Sequence, residues 1–453
     1  MRMLGWPRRF IWRTLRWTGG WRAFLGRRLT PVGRMVLAGT LMAGLLGLDT
    51  RQTLAHQTFS LGVALLLVAW LAGRWGPAGV RVRRHLPRHA TLGVPFHYGV
   101  ELVNLGSRRL PRLEIQETLP DPRPDLETFL NSPAPGERQE NFLDRLGGFP
   151  HWRWLVGRAQ RVETPQPMAL PPLRAGGEAQ VELELTPRRR GYLVLPGLRV
   201  GVPDPLGLTH RSQVLGGQGR VLVLPRRYPV PPQRPPGRRR FQPGGLGLAG
   251  AVGDSQEFVG LREYRPGDSM RHLHWAAWAR TGQPMVKEYQ DEYHSRQALV
   301  LDSCVAPGQE DLFEAAISVA ASLVEPLRGG DTLLDMLFVA DQVHGVTSGR
   351  GLASGDALLE VLAGLEPARA GGFQNLSRAV LESVPRLSAC LCLFLSWDGA
   401  RQELVRRLRG LGLPPRVLLV AVDRPRDLGP WSDQPEQLLV LHPERLASGL
   451  AAL

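Results

Sequence analysis

Apolar residues cluster first over residues 35–48 and 59–73, with the polar turn Asp49-Thr50-Arg51 between them. Each run alone falls short of the roughly 20 residues that a bilayer-spanning helix needs. Residues 32–48 and 54–75 reach that length if Arg34 and His56 sit near the interfaces. The spacing predicts a two-helix membrane hairpin over residues 32–75. A cleaved signal peptide is the rival reading, but no A-x-A-like site follows the first run and a second apolar run comes at once. Over residues 80–225 the pattern shifts to short alternating runs at 95–105, 113–119, 178–186, 191–195, 198–202 and 220–224, with Gly and Pro turns between them. Period-two alternation at that spacing predicts a β-sandwich-like domain. Residues 120–172 interrupt it as an inserted loop with an aromatic cluster at Phe149, Trp152 and Trp154.

Beyond residue 297, apolar strands at 298–301, 333–339, 389–395, 416–422 and 437–441 alternate with helical patterns at 310–327, 355–365, 376–384, 400–411 and 443–450. That order predicts a doubly wound α/β domain over residues 297–453. Between the two domains lie a Pro/Gly linker, residues 226–250, and a denser segment, residues 251–290. The expected fold class is an α+β multidomain membrane protein.

Charge orients this picture. The net charge is +15, and nine arginines with no acid fall in the first 34 residues. Arg74, Arg81, Arg83 and Arg84 follow the second apolar run. Positive charge on both flanks predicts a basic cytoplasmic N-terminus, residues 1–31, in the inner (cytoplasmic) membrane, with both termini and the bulk of the chain cytoplasmic. Arg226, Arg227, Arg234, Arg238, Arg239 and Arg240 make the linker basic. At roughly 1 kcal/mol per base near an anionic leaflet, Arg226 to Arg240 read either as an anionic-lipid contact or as a solvated linker. Nucleic acid is not an expected partner, because no stacking platform or known nucleic-acid fold accompanies the charge. Three cysteines, all in apolar runs, suit a reducing compartment.

The densest chemistry runs from Gly253 to Glu288. Glu257 to Tyr264 reads as an extended piece and Pro266-Gly267 as a turn. Asp268 is placed as N-cap of a helix over residues 269–279, which stacks Arg271, Trp275 and Trp278 on one face. A strand over residues 284–290 follows, holding Lys287, the only lysine in the chain. Two readings stand side by side. Arg262, Glu263, Arg265, Asp268, Arg271, Arg280, Lys287 and Glu288 form an ion-pair network inside the protein, or they face outward to an acidic or phosphate-bearing partner.

The pattern E-F-x-G-L-R-E-Y-x-P-G-D-x-x-R-x-L-x-W-x-x-x-A-R over residues 257–280, followed by V-K-E, resembles the signature of the bacterial "domain of unknown function 58" family. Its elements here are Glu257, Arg262, Glu263, Tyr264, Pro266, Gly267, Asp268, Arg271, Trp275, Arg280, Lys287 and Glu288. His274 and Ala276 depart from it, since members often carry Asp or Asn at the first and Lys at the second. The run 188–196 and Asp204-Pro205-Leu206-Gly207-Leu208 also resemble the family's pattern. The resemblance implies a membrane hairpin, a β-rich domain, the motif and a von Willebrand A-like domain. It also implies genomic company with MoxR-type AAA+ ATPases, and no known biochemical activity.

A von Willebrand A fold holds Mg²⁺ through D-x-S-x-S after its first strand, a threonine in a later loop and an aspartate after the fourth strand. Here the first piece reads Asp302-Ser303-Cys304-Val305-Ala306, and the loop over residues 371–376 has no threonine. Asp302 and Asp398 remain as a degenerate site, so no metal is expected and Asp302 is read as capping the following loop. No G-x-G-x-x-G follows the first strand and no Walker lysine is present, which argues against a nucleotide cofactor. His272 and His274 sit two apart on the proposed helix and face different ways. Cys304 has no neighbouring His in the sequence. The expectation is a non-enzymatic, membrane-anchored interaction module that partners a MoxR-type ATPase in assembly or maturation of an envelope system. The alternatives are an enzyme of undescribed chemistry and a structural scaffold without an ATPase.

Overall fold

The computed structural model describes residues 5–47, 53–72, 79–107, 109–110, 113–132, 148–163, 165–231, 256–268, 270–291, 296–306, 308–327, 332–340, 342–349, 355–368 and 372–453. The turn at 49–51, Arg74, linker residues 232–250 and insert residues 133–147 therefore lie outside the described residues. The chain divides into two compact units, Met1–Pro225 and Arg226–Leu453, each considered by itself.

The first unit opens with three helices: α1 (Gly5–Arg28), α2 (Pro31–Leu46) and α3 (Thr53–Ala72). Thr30 caps α2 by accepting from the Gly33 N–H at 2.9 Å, and Pro31 stands at the first helical position. α2 and α3 pack antiparallel through small residues. A Cβ on Gly62 would fall 2.1 Å from Thr40 Oγ1, and one on Gly44 would fall 3.0 Å from the Phe59 ring. Only the α3 segment Leu54–Ala72 is, by length and composition, long and apolar enough among the described residues to cross a membrane. α2 is a shorter apolar helix, about 24 Å at 1.5 Å per residue.

Three sheets surround one core in the rest of this unit. The first is β1 (Val80–His85), β3 (Phe96–Asn104) and β6 (Glu178–Leu185); the second is β2 (His89–Thr91), β10 (Gly219–Leu224) and β7 (Gly191–Leu195). The third is β5 (Met168–Leu170), β4 (Leu113–Thr118), β8 (Gly197–Pro203) and β9 (His210–Leu215). Alternation explains the core. Tyr98, Val100 and Leu102 point inward from β3, and Leu113 and Ile115 from β4. Arg84 is not the flanking membrane charge it resembles in the sequence. Its side chain is 3% exposed and pairs with buried Glu117 at 2.7 Å, while the Tyr98 hydroxyl donates to the other carboxylate oxygen.

The insertion is more ordered than a loop. α4 (Leu126–Asn131) and α5 (Phe149–Ala159) bring Phe129, Trp152 and Leu155 into a small core, against which Ile11, Trp12 and Leu15 of α1 pack. The basic start of the chain is thus a docked helix. Its apolar face and the aromatic cluster of the insertion each supply the surface the other must bury.

The second unit holds a six-stranded sheet in the order β15-β14-β13-β16-β17-β18. Its strands are β13 (Arg296–Leu301), β14 (Leu333–Val339), β15 (Val343–Ser348), β16 (Ala389–Phe394), β17 (Arg416–Val420) and β18 (Leu438–Leu441). All pairings are parallel except the β14–β15 edge. The sheet is doubly wound, as its pattern predicts. α7 (Glu310–Leu327) packs on β13, β16 and β17 and meets α8 (Gly355–Gly364) and α11 (Leu446–Ala451). α9 (Phe373–Ser383) and α10 (Gly399–Gly410) form the other core cluster, with Val300, Cys392 and Leu419. Strand β15 has no counterpart in the sequence reading. An edge strand is half exposed, so its residues need not alternate.

Candidate functional site

Two places concentrate the chemistry singled out by the sequence. The first is built on the hairpin β11 (Gln256–Glu263) and β12 (Met285–Asp291), which pair antiparallel with a bulge between Phe258 and Gly260. Arg262 faces Val286 and Leu261 faces half-buried Lys287 across the pair. After β11, half-buried Tyr264 donates its N–H to Pro284 O at 2.9 Å. Exposed Pro266 and Gly267 turn the chain, Gly267 at φ 108°, a left-handed value that glycine accepts without strain.

Asp268 closes this turn and does not cap a helix. Its carboxylate takes a two-pronged contact from Arg262, with Nη1 and Nη2 each at 2.7 Å, and a hydrogen bond from the Arg265 N–H at 2.8 Å. The Arg262 guanidinium first, and the Arg265 N–H after it, hold this carboxyl down at about 2. The expected helix over residues 269–279 is replaced by a single 3₁₀ turn, Met270–His272, and a short helix α6 (Trp275–Thr281). The reason is a long-range pairing. Leu273 forms a bridge with Val286, and the His274 N–H is spent on Met285 O at 2.8 Å, so the chain leaves the 3₁₀ turn to pair with the strand before a helix can start. His274 then caps α6, its Nδ1 accepting from the Ala277 N–H at 2.9 Å. This accounts for the position where the resembling family often carries Asp or Asn, both favoured caps. Gly282, at φ 73°, ends the helix.

Leu273, Ala277 and Val286 are the buried side of this element. Its outer side is aromatic and basic. Trp275, 63% exposed, stacks on Trp278 with centroids 5.4 Å apart and planes at 21°. Met270, Arg271 and Arg280 are exposed as well, and so is Glu263. Arg271 therefore does not share a helical face with Trp275, because it sits in the 3₁₀ turn. The side chains of Glu257 and Glu288 lie outside the described residues. His272, His274 and Asp268 do not form an acid–base set, since His274 is a cap and Asp268 is engaged by Arg262.

The second place lies at the carboxyl ends of β13 and β16. Asp302 is buried there, and its Oδ1 accepts from the Cys304 N–H at 3.1 Å, the loop cap expected of it. Asp398 caps α10 by accepting from the Ala400 and Arg401 N–H groups at 3.1 Å each. Between the two carboxylates stands Arg401, with Nη2 2.8 Å from Asp302 Oδ2 and Nη1 2.6 Å from Asp398 Oδ2. The guanidinium also covers the Phe373 ring at 4.1 Å. A protein cation thus occupies the ground between the two carboxylates. With Cys304 and Ala306 where hydroxyl ligands belong, these residues do not fit a divalent ion. Burial pushes the Asp302 carboxyl up, and Arg401 opposes it only in part. Burial, with Asp302 nearby, likewise pushes the Cys304 thiol up to about 11, far from a reactive thiolate. Arg401 was not singled out by the sequence. Its one local signal is the three-residue offset from Asp398 on a helix.

A comparison with curated proteins gave no match. Among solved structures, the chain is similar to the CARDB domain of a Pyrococcus furiosus protein at 12% identity, over 32% of this chain and 87% of that one, with a TM-score of 0.17. It is also similar to proximal thread matrix protein 1 of the mussel byssus at 11% identity, over 35% of this chain and 44% of that one, with a TM-score of 0.26. Scores this low carry no argument. Residues 260–428, a segment that begins inside the hairpin and takes in both sites, match the family described as "Protein of unknown function DUF58".

Proposed function

We propose that this chain is a membrane-anchored interaction module whose outward tryptophan and arginine face docks a protein partner. The observation that carries this reading is the stacked, exposed Trp275–Trp278 pair flanked by exposed Arg271 and Arg280. Tryptophan and arginine are the residues that most often dominate protein interfaces. The turn beside them is already braced by Arg262 and Asp268, so little order has to be imposed on binding. The α/β domain is read as von Willebrand A-like, which fits its strand order and antiparallel edge. The partner inferred from the family resemblance is a MoxR-type AAA+ ATPase, acting with this chain on an envelope system. Anchoring is assigned to α2 and α3 as a hairpin with both chain ends cytoplasmic, in keeping with the flanking arginines.

The test is co-purification of the full chain in detergent with a purified MoxR-type ATPase. Retention by the wild type and its loss with Trp275→Ala or Arg271→Ala, at unchanged melting temperature, is the expected result. Equal retention by both variants removes the motif face from the interface. A reporter fused after Leu453 checks topology and should be active only in a cytoplasmic format.

A further inference from the structure

α1 carries two apolar faces. One, with Ile11, Trp12 and Leu15, packs on the insertion. The other has no such role: Phe10, Trp17, Trp21 and Phe24 recur at seven-, four- and three-residue steps, which places them on one stripe of the helix. All four are exposed, Trp17 by 64%, and Trp17–Trp21 and Trp21–Phe24 meet edge to face at 5.8 and 6.0 Å. Beside the stripe runs a cleft of about 570 Å³ lined by Trp12, Arg13, Arg16, Trp17, Trp21 and Arg123, among others. The helix is held firmly there. Trp12 Nε1 donates to Pro124 O at 3.1 Å, and Arg123 Nη1 donates to Arg16 O at 3.4 Å while its guanidinium also pairs with Asp121. A Cβ on Gly20 would already press on Arg123 Nη1 at 3.0 Å.

Two observations identify what covers the stripe. The first is charge: α1 has no acidic residue, and with Asp121 engaged by Arg123, Arg13 and Arg16 leave the cleft net positive and attractive to an anion. The second is continuity with the apolar helices. The loop Asp204–Thr209 gathers the end of α1, the start of α2 and the end of α3 at one point. Leu29 bridges to Thr209, Thr30 donates its N–H to Leu208 O at 3.0 Å, a Cβ on Gly33 would fall 1.9 Å from Leu208 O, and Thr209 Oγ1 donates to Ala69 O at 3.4 Å. α1 therefore ends at the very point where α2 starts and α3 ends. Exposed tryptophan and phenylalanine with arginine beside them, next to a spanning segment, are the composition of a helix lying in the headgroup layer.

We infer that α1 lies in the plane of the membrane interface, its Phe10–Trp17–Trp21–Phe24 stripe set among the acyl chains, with the arginine-lined cleft taking an anionic phospholipid headgroup. This rests on the membrane-anchored reading of α2 and α3, and goes beyond it by assigning the lipid class and the residues. Asp204 and its loop become the block that sets the height of α1 against the two apolar helices.

The test uses the full chain in nanodiscs whose lipids carry bromine near the headgroup end of the acyl chains. Trp17→Phe/Trp21→Phe, a pair that keeps the apolar face, should abolish a large part of the bromine quenching of tryptophan emission. Unchanged quenching means that both rings face water, and overturns the inference. Arg13→Gln/Arg16→Gln should lower the anionic phospholipid retained in detergent by about fivefold per arginine, the equivalent of roughly 1 kcal/mol each, without changing retention of zwitterionic lipid. Displacement of that lipid by an equal concentration of inorganic phosphate marks a free-anion site and also overturns the assignment, as does a lipid-independent shift of tryptophan emission that follows protein concentration, the sign of a second copy. Alkaline extraction of native membranes separates the two levels. Release of the wild-type chain sinks the anchored reading together with this one. Retention without bromine quenching sinks only the place of α1.

Discussion

Two arginine–aspartate pairs of the second unit share one chemistry and do opposite work. Arg401 meets Asp302 where the carboxylate is wholly buried and the guanidinium is 10% exposed; Arg262 meets Asp268 at a turn where solvent reaches both. In the buried pair, two ions have lost their water, and each is tolerable only while the other is present. In the half-buried pair at the turn, water still reaches and screens the charges, so the two-pronged contact sets the shape of a turn more than it adds stability. The electrostatics carry the same contrast. Burial raises the Asp302 carboxyl, whereas Arg262 lowers that of Asp268 to about 2. One pair is a structural keystone and the other an element of surface architecture.

The sharpest way to break this contrast is to remove the buried guanidinium. Arg401→Ala strands Asp302 and should cost about 3–5 kcal/mol, read as a large fall in melting temperature of the full chain. Arg84→Ala should act alike in the first unit by stranding Glu117. An effect of Arg401→Ala no larger than that of a surface substitution would show that Asp302 does not depend on its partner.

Next in size is a difference of sign with pH. Asp302 binds its proton more tightly folded than unfolded, so its contribution favours the fold below the ordinary value of 3.8 and is lost as pH rises through the raised folded value. Asp268 behaves in reverse. Its contribution is present above 3.8 and is lost as pH falls through about 2. Melting curves across the acid range should therefore change in opposite directions for Asp302→Asn and Asp268→Asn. Parallel changes would refute the assignment of the two environments.

Smaller again is the cap. His274→Ala should cost about 1 kcal/mol, while His274→Asn should be close to neutral because Asn accepts the same backbone N–H. The smallest stability effect is expected for Asp268→Asn near neutral pH, since solvent still reaches both half-buried partners of the pair. Its consequence should appear in partner retention, which depends on the shape of the turn holding Arg271 and Trp275.

Much of this architecture is legible locally. The alternation over residues 191–195 is the strand Gly191–Leu195, and the helical period over residues 310–327 is the helix Glu310–Leu327. Such spans are readable because a buried face imposes its period on the residues that form it. The motif over residues 257–280 likewise pointed to the family whose pattern residues 260–428 match, and to the chemically dense segment. What the local pattern lacked was partners distant in sequence. Asp302 and Arg401 stand 99 residues apart, and nothing near Asp302 announces which cation pairs with it. The helix expected from Ser269 starts at Trp275 because Leu273 and His274 are claimed first by Val286 and Met285 on the returning strand. α1 and the insertion, neither of which names the other in the local pattern, become a joint core only when folded. By itself, the sequence determined the segments whose buried face imposes a regular period, and where charge accumulates, because those depend on neighbours along the chain. The tertiary structure alone decided which charges are buried, which turn Asp268 closes and which aromatic faces stay exposed, because those depend on neighbours through space.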